Sequence, residues 1–310
     1  MSFKAKRKVI FAKIETTYGT DSVPVVGTDA MLVHNFNVVP VALRYVERDP
    51  ALHFFGNDGQ IKVGESMTVQ FDVEQAGAGG VATVPKFGPL LRACAHAETV
   101  TPTTGPVTYA PITTAEESAS LHFNRDGLLH KVLGMRGNVE WVWSGAQIPM
   151  LRFTFEGLYG GVTDAALAAP TLTGWQRPLG MNKVNTTFAL HGFAAVLREM
   201  RVNQGNAMQY VNLPNLEEVR FTDRKTRGSV TIELPTIAAR DFFTTCRNET
   251  TGAIALTHGT AAGNRAIFSA STVQLTSPQY SEADGKAVLT MGMELRHSGS
   301  GNNEYSFATQ

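Results

Sequence analysis

The sequence predicts a mainly β protein of antiparallel sheet in two tandem domains, each with a flanking α-helix. Three observations carry this expectation. The chain has 310 residues, more than one core usually serves, so two domains of roughly 150 residues are expected. Its 29 Gly and 14 Pro are scattered between short apolar runs, the texture of strands joined by tight turns. Two segments also share one layout: Met67 to His96 (MTVQFDVEQAGAGGVATVPKFGPLLRACAH) and Ser229 to Arg247 (SVTIELPTIAARDFFTTCR). Each runs from an alternating strand through a Pro to an apolar, helix-like stretch ending in Cys, which suggests one module used twice. Cys94 and Cys246 close these stretches, and buried thiols are expected there in preference to a disulfide or a metal pair.

Taken in order, a basic arm (Lys4, Lys6, Arg7, Lys8) leads into a strand from Lys8 to Ile14 and then an extended loop through Pro24. Met67, Val69, Phe71 and Val73 alternate with Thr68, Gln70, Asp72 and Glu74, giving a strand with one buried and one wet face. The break at Gly77 to Gly80 and the helix-permissive Pro85 place a helix over Leu90 to Ala95, packed against one side of the sheet. Thr99 to Ala115 carries three Pro, seven Thr and no charge, which suits an extended loop or short edge strands. Val139, Trp141 and Trp143, a turn at Gly145, then Leu151, Phe153 and Phe155 read as a hairpin whose aromatic stripe belongs in the core.

Ala165 to Lys183 is rich in small residues, Gly and Pro and has no period. The expected division is therefore residues 1–165, a linker at 166–183, and residues 184–310. In the second part Val230, Ile232 and Leu234 alternate, Ile237 to Cys246 reads as helix, and Ile254 and Leu256 form a short strand. Ala287 to Leu295 gives the longest alternation, matching Leu151 to Glu156 in order, and Asn302 to Phe307 reads as a final edge strand.

Lys plus Arg equals Asp plus Glu at 27 each, so no global charge attracts nucleic acid or an anionic membrane. No apolar run approaches the ~20 residues that span a bilayer, and a soluble chain without a leader is expected. Nucleophile-elbow, HExxH, phosphate-loop and EF-hand patterns are missing, the eight His are dispersed, and no carboxylate pair is set apart for acid–base or metal chemistry. The sequence therefore predicts no catalytic residue, no metal and no cofactor. Two mixed-charge clusters (Arg44, Glu47, Arg48, Asp49; Asp223, Arg224, Lys225, Arg227) each precede an alternating strand. They suit solvated turns or subunit contacts in which opposite charges set register; Arg48, Asp49, Asp223 and Arg224 are the inter-subunit candidates, with the basic arm.

The stretch Lys13-Ile14-Glu15-Thr16-Thr17-Tyr18-Gly19-Thr20-Asp21-Ser22-Val23-Pro24 resembles the opening of tail tube proteins (major tail proteins) of long-tailed, non-contractile bacteriophages. The resemblance continues through Val46-Glu47-Arg48, the Met67 to Glu74 strand, Pro85 to Cys94, and Arg136-Gly137-Asn138-Val139, and more weakly at Thr222 to Lys225 and Gly301 to Tyr305. It implies tail-tube-type sandwich or barrel domains whose sheets line a ring, with rings stacking into a hollow virion tail assembled in the host cytoplasm. Long loops and the N-terminal arm would join the rings. It also implies a tape-measure protein, a terminator and tip proteins as partners, and double-stranded DNA passing through without specific binding or a membrane.

A single tube domain needs about half of this chain, so three chains could make a pseudo-sixfold ring where one-domain relatives need six; a homohexamer is the alternative. A lumen that passes DNA should be acidic or neutral, because each free Lys or Arg adds phosphate affinity. Asp72, Glu74, Glu156 and Glu294 are the expected lumen-lining residues. The competing reading is a receptor- or carbohydrate-binding β-sandwich of a tail tip, which would expose an aromatic platform.

Overall fold

A computed structural model describes residue 4 and residues 6–310. The first part of the chain forms β1 (Lys8–Ile14), β2 (Ala30–Met31), β3 (His34–Glu47), β4 (Gln60–Glu74) and helix α1 (Gly88–Arg92). It continues as β5 (His96–Val100), β6 (Val107–Pro111), β7 (Ala119–Arg125), β8 (Leu128–Ser144) and β9 (Met150–Asp164). After the strandless stretch 165–185 come β10 (Thr186–Leu190), β11 (Leu197–Asn203), β12 (Asn206–Leu213), β13 (Leu216–Arg224) and β14 (Arg227–Glu233). Helix α2 (Phe242–Arg247) precedes β15 (Thr251–His258), β16 (Ala266–Ala283), β17 (Lys286–Leu295) and β18 (Ser306–Thr309).

The fold is mainly antiparallel sheet with little helix. Sixteen strands share one hydrogen-bonded sheet, and β12 and β13 form a separate hairpin. Among the described residues the sheet does not close into a barrel, and no clear split separates the halves. Strand β8 of the first half pairs with β11 of the second from Glu140↔Asn203 to Ser144↔Glu199, and β18 at the C-terminus pairs with β6. Both halves also feed one core. Trp141 lies 5.6 Å from Phe268 and 5.1 Å from Tyr305, ring to ring, and all three are buried.

Within this sheet the strand order repeats. Eight strands run side by side as β3-β4-β9-β8-β11-β14-β17-β16. In each group of four the sheet order follows the chain order first, second, fourth, third. The alternating strands that suggested duplication, β4 and β14, occupy the same place in their groups, as do β9 and β17. Phe71 faces Phe153 as Ile232 faces Leu289, and Val38 faces Val69 as Met200 faces Val230. Their apolar faces (Val69, Phe71, Phe153, Trp141, Met200, Ile232, Leu289, Met291) are all wholly buried or nearly so.

Several expectations need adjustment. Both helices are short. α1 begins at Gly88 with Pro89 in its first turn, so Pro85 lies in the preceding turn, and it stops before Ala95, whose φ is +57°. α2 starts only at Asp241, whose carboxylate accepts from the Thr244 amide, so Ile237 to Arg240 lie outside it. Cys94 is fully buried just past α1, while Cys246 sits within α2, half-exposed, and packs on the core margin. The final strand is not an edge, because β18 lies between β16 and β6.

Candidate assembly surfaces

The surfaces that matter are a polar sheet face, two long hairpins and two open strand edges. On an antiparallel sheet, directly opposite residues point to one side. One such row crosses all eight strands: His34, Asp72, Arg152, Glu140, Asn203, Arg227, Glu294 and Gln274. Charges alternate along it. Arg152 sits 3.8 Å from Asp72 and 3.6 Å from Glu140, and Arg227 lies 3.0 Å from Glu294. Neighbouring rows add Glu74, 3.1 Å from His34, and Glu156, which takes the Ser66 hydroxyl at 3.0 Å and Arg44 at 3.4 Å. The four expected lumen residues thus share one face of one sheet. What composition could not reveal is that this face also carries arginines, each beside an acid.

The two hairpins occupy equivalent places. The first joins β3 to β4 through residues 48–59; the second is β12–β13, inserted between β11 and β14. The second is bent sharply at its base. Gly205, at φ +74°, takes the bend because a Cβ there would meet the Lys225 carbonyl at 2.0 Å. Lys225 N donates to that glycine's carbonyl at 3.0 Å, and the Thr226 hydroxyl donates to Gln204 O at 2.9 Å. The bend lays the hairpin back over the first half, where Tyr210 and Val219 are buried.

The opening motif holds it there. The Val219 amide donates to the Tyr18 hydroxyl at 2.6 Å, and Arg136 donates to Val219 O at 2.9 Å while its guanidinium stands 4.9 Å from the Tyr18 ring. Burial pushes the Tyr18 phenol up to about 12, against the Val219 bond, so it stays neutral. Glu15 anchors the loop below, accepting from the Gly19 and Gly134 amides and the Ser118 and Ser120 hydroxyls. Gly134 is bare because a Cβ would strike the Tyr18 ring at 2.7 Å. At Asp21 burial opposes ionisation, but Lys131, the Val23 amide and His122 outweigh it and hold the carboxyl below its usual range.

The β3–β4 hairpin meets the second one only at its base, where the Arg44 guanidinium stands 4.4 Å from the Tyr210 ring and the Glu65 amide donates to the Tyr210 hydroxyl at 3.3 Å, and its tip is exposed. Val46, Ile61 and Val63 are exposed, Phe54 is 58% exposed and Phe55 fully so. Arg48 and Asp49 sit at its tip and enter no ion pair among the described residues. Arg224, by contrast, is spent inside the chain: it donates to Ile112 O at 2.7 Å and Asn302 Oδ1 at 2.9 Å and pairs with Glu304 at 3.1 Å. This joins the two short words of the second half, Thr222 to Lys225 and Gly301 to Tyr305. Asp223 pairs with Lys225 at the surface. The arm is also partly engaged, with the Lys4 amide and Arg7 side chain on Asp126, and Lys8 Nζ 5.3 Å from the Phe36 ring; Lys6 is exposed and in no ion pair among the described residues.

At the two ends of the eight-strand run the edges are open. β3 pairs only with β4, and residues 279–283 of β16 pair only with β17. Val39, Val41 and Leu43 on β3 and Tyr280 on β16 are exposed there. No group of three or more His, Cys, Asp or Glu among the described residues could hold a metal ion, and Trp141 and Trp143 are fully buried. A family profile described as phage tail tube protein matches residues 5–292. No curated protein matches the chain. The chain belongs to the phage tail tube protein family, a structural family of the virion.

Proposed function

We propose that this member of the phage tail tube family is a tandem tube subunit, three copies of which close a pseudo-sixfold ring that stacks into the hollow tail tube. Residues 1–165 and 184–310 are its two tube units, joined by the linker 166–183, and each contributes four strands to the ring wall. The observation that carries the reading is the β8–β11 seam. It joins the third-in-chain strand of one group to the first-in-chain strand of the next, and the two open edges left over, β16 and β3, are the same two kinds of strand. Chains set side by side would repeat the seam between copies.

The polar face then lines the lumen. Asp72, Glu74, Glu156 and Glu294 supply negative charge, while Arg152 and Arg227 are held by carboxylates, so few guanidiniums remain free for phosphate and DNA can slide past. A tape-measure protein in the lumen and terminator and tip proteins at the ends fit the family context. Genome delivery through a non-contractile tail is the role this serves.

The seam's register sets the test. Arg201 faces Val142 across it, and by the repeat Val39 answers to Arg201 and Ala283 to Val142. In a Cys246→Ala background, Val39→Cys with Ala283→Cys should oxidise between chains into a ladder that ends at a closed trimer. A ladder ending at six indicates a homohexameric ring, and no crosslink in assembled protein rejects the edge pairing.

A further inference from the structure

We propose that the open edge of β10 and the apolar groove beside it take up, by strand addition, an extended apolar segment bearing an acid, supplied by a protein other than the tube subunit. The site stands on the repeat within one chain and needs no ring.

The repeat extends to the strands that flank the eight-strand run. β1, β7 and β8 lie side by side in the first half as β10, β15 and β16 do in the second, and β1 and β10 each precede the first strand of their group. The outer edges differ. In the first half residues 15–33 join β1 to β3 and include β2, which pairs on β1 at Ile10↔Met31 and Phe11↔Ala30, with Ala12 N donating to Asp29 O at 3.0 Å. Ala30 and Met31 are buried there, and the Trp175 indole donates to Ala30 O at 3.1 Å. In the second half only residues 191–196 join β10 to β11, and among the described residues no strand takes the place of β2.

What is left is an unfilled strand position. His191 N donates to Ala253 O and Gly259 N to Asn185 O, so the odd-numbered backbone groups of β10 face β15 and the even-numbered ones face away. At the ends, Thr186 N donates to Asn182 O at 3.0 Å and Leu190 N to Phe193 O at 2.9 Å. Between them the Phe188 amide and carbonyl have no strand beside them among the described residues. A groove of about 700 Å³ opens here, lined by Phe188 with Ala146, Met181, Ala195, Val196 and Leu197. Main-chain bonds at an open edge give a peptide its affinity, and pockets for alternate side chains give it selectivity.

The chemistry of the occupant follows from the lining and from β2. Lys183 is the one charged residue that lines the groove, and it enters no ion pair among the described residues, so an acid beside apolar residues fits. β2 has that composition, Asp29 followed by a small and a large apolar residue, but each copy's β2 is already spent on its own β1. Phe188 faces Leu256, Leu256 faces Phe268, and the Phe268 ring lies 5.1 Å from that of Trp143, so β10 belongs to the layer that covers the apolar face of the eight-strand run, away from the charged row. The lumen reading then places the partner outside the bore, clear of DNA; the site itself does not depend on that reading.

The test uses the full chain and, as probe, a labelled peptide of residues 27–33, GTDAMLV. The peptide should bind, and hydrogen exchange across residues 186–190 should slow when it does. Val196→Asp, at a position 59% exposed, should leave the urea melt unchanged and weaken binding by about tenfold or more. Lys183→Glu should weaken it by about threefold, and a peptide carrying Asp29→Lys should recover that loss. No binding, binding indifferent to Val196→Asp, or binding without slowed exchange would each overturn the proposal. In a Cys246→Ala background, Val196→Cys should react with a maleimide as fast in tubes of the purified protein as in the free chain, and be protected in virion tails. Protection in the purified tubes would mean that a second copy fills the groove, and reaction at the free rate in virion tails would mean that nothing does; either overturns the proposal. Failure of the ring reading is distinct, since peptide binding needs only the single chain.

Discussion

The β8–β11 seam and the open edges of β3 and β16 involve the same kinds of strand in two different circumstances. At the seam, Met200 and Val202 of β11 are wholly buried, and Gln204 continues the join by donating from its amide to Val139 O and from its side chain to Cys94 O. At the edges, Val39, Val41 and Tyr280 face solvent and a row of backbone groups has no strand beside it. An unprotected apolar edge is a template for pairing with another chain. The seam shows what such a pair looks like when closed, so the difference measures what a strand added at the open edge would supply.

The largest expected effects come from placing one charge on each side of this comparison. Met200→Asp should unfold the chain, since a charge in a sealed seam costs more than about 4 kcal/mol. Val38→Asp, at the equivalent place on the open edge but only half-buried against the core, should cost less than half as much as Met200→Asp in urea melts yet form no rings. Equal destabilisation by the two would break the comparison. Next in size is Trp141→Ala, which removes the ring joining both halves' cores to Phe268 and Tyr305 and should cost about 3–5 kcal/mol. A single unfolding transition that shifts as one would sharpen the picture of a shared core, whereas two transitions would contradict it.

A smaller effect is pH-dependent. His96 is buried beside β18, with its ring nitrogens on Leu91 O and the Tyr305 hydroxyl, and burial lowers its pKa to about 4 from an ordinary 6.5. Between those values the unfolded chain binds the extra proton. Stability is therefore full above about pH 6.5 and is lost as pH falls toward 4, by about 2 kcal/mol from pH 7 to 5. His96→Gln should lose that share of the slope in paired urea melts. Smallest of all, Arg227→Gln should change stability by under about 1 kcal/mol, because the pair with Glu294 is solvent-exposed. An electrophoretic assay should then show no gain in DNA retention by tubes; retention that falls would mean Arg227 was free to bind phosphate.

Much of this was legible in the sequence. Period-two alternation placed β4, β8, β9, β14 and β17 and their buried faces, because burial on one side writes itself into every second residue. The repeat of Pro and Cys-ended segments located equivalent strands. What escaped notice had no apolar period to display. β3 is largely exposed on both faces, and the bend that separates the two hairpins depends on Gly205 and a few hydrogen bonds. Asp72, Glu74, Glu156 and Glu294 were readable as polar-face residues, but their arginine partners come from strands far away in sequence. Arg224 looked like a surface charge because its partners, Ile112 and Glu304, are distant along the chain.

The central claim is tested most directly by an electron-microscopic reconstruction of tubes grown from the purified protein. The account predicts three chains per ring, eight strands of each side by side around the lumen, with β16 of one chain against β3 of the next and the row from Asp72 to Glu294 facing inward. Six chains per ring, or a wall in which that row faces outward, would contradict it.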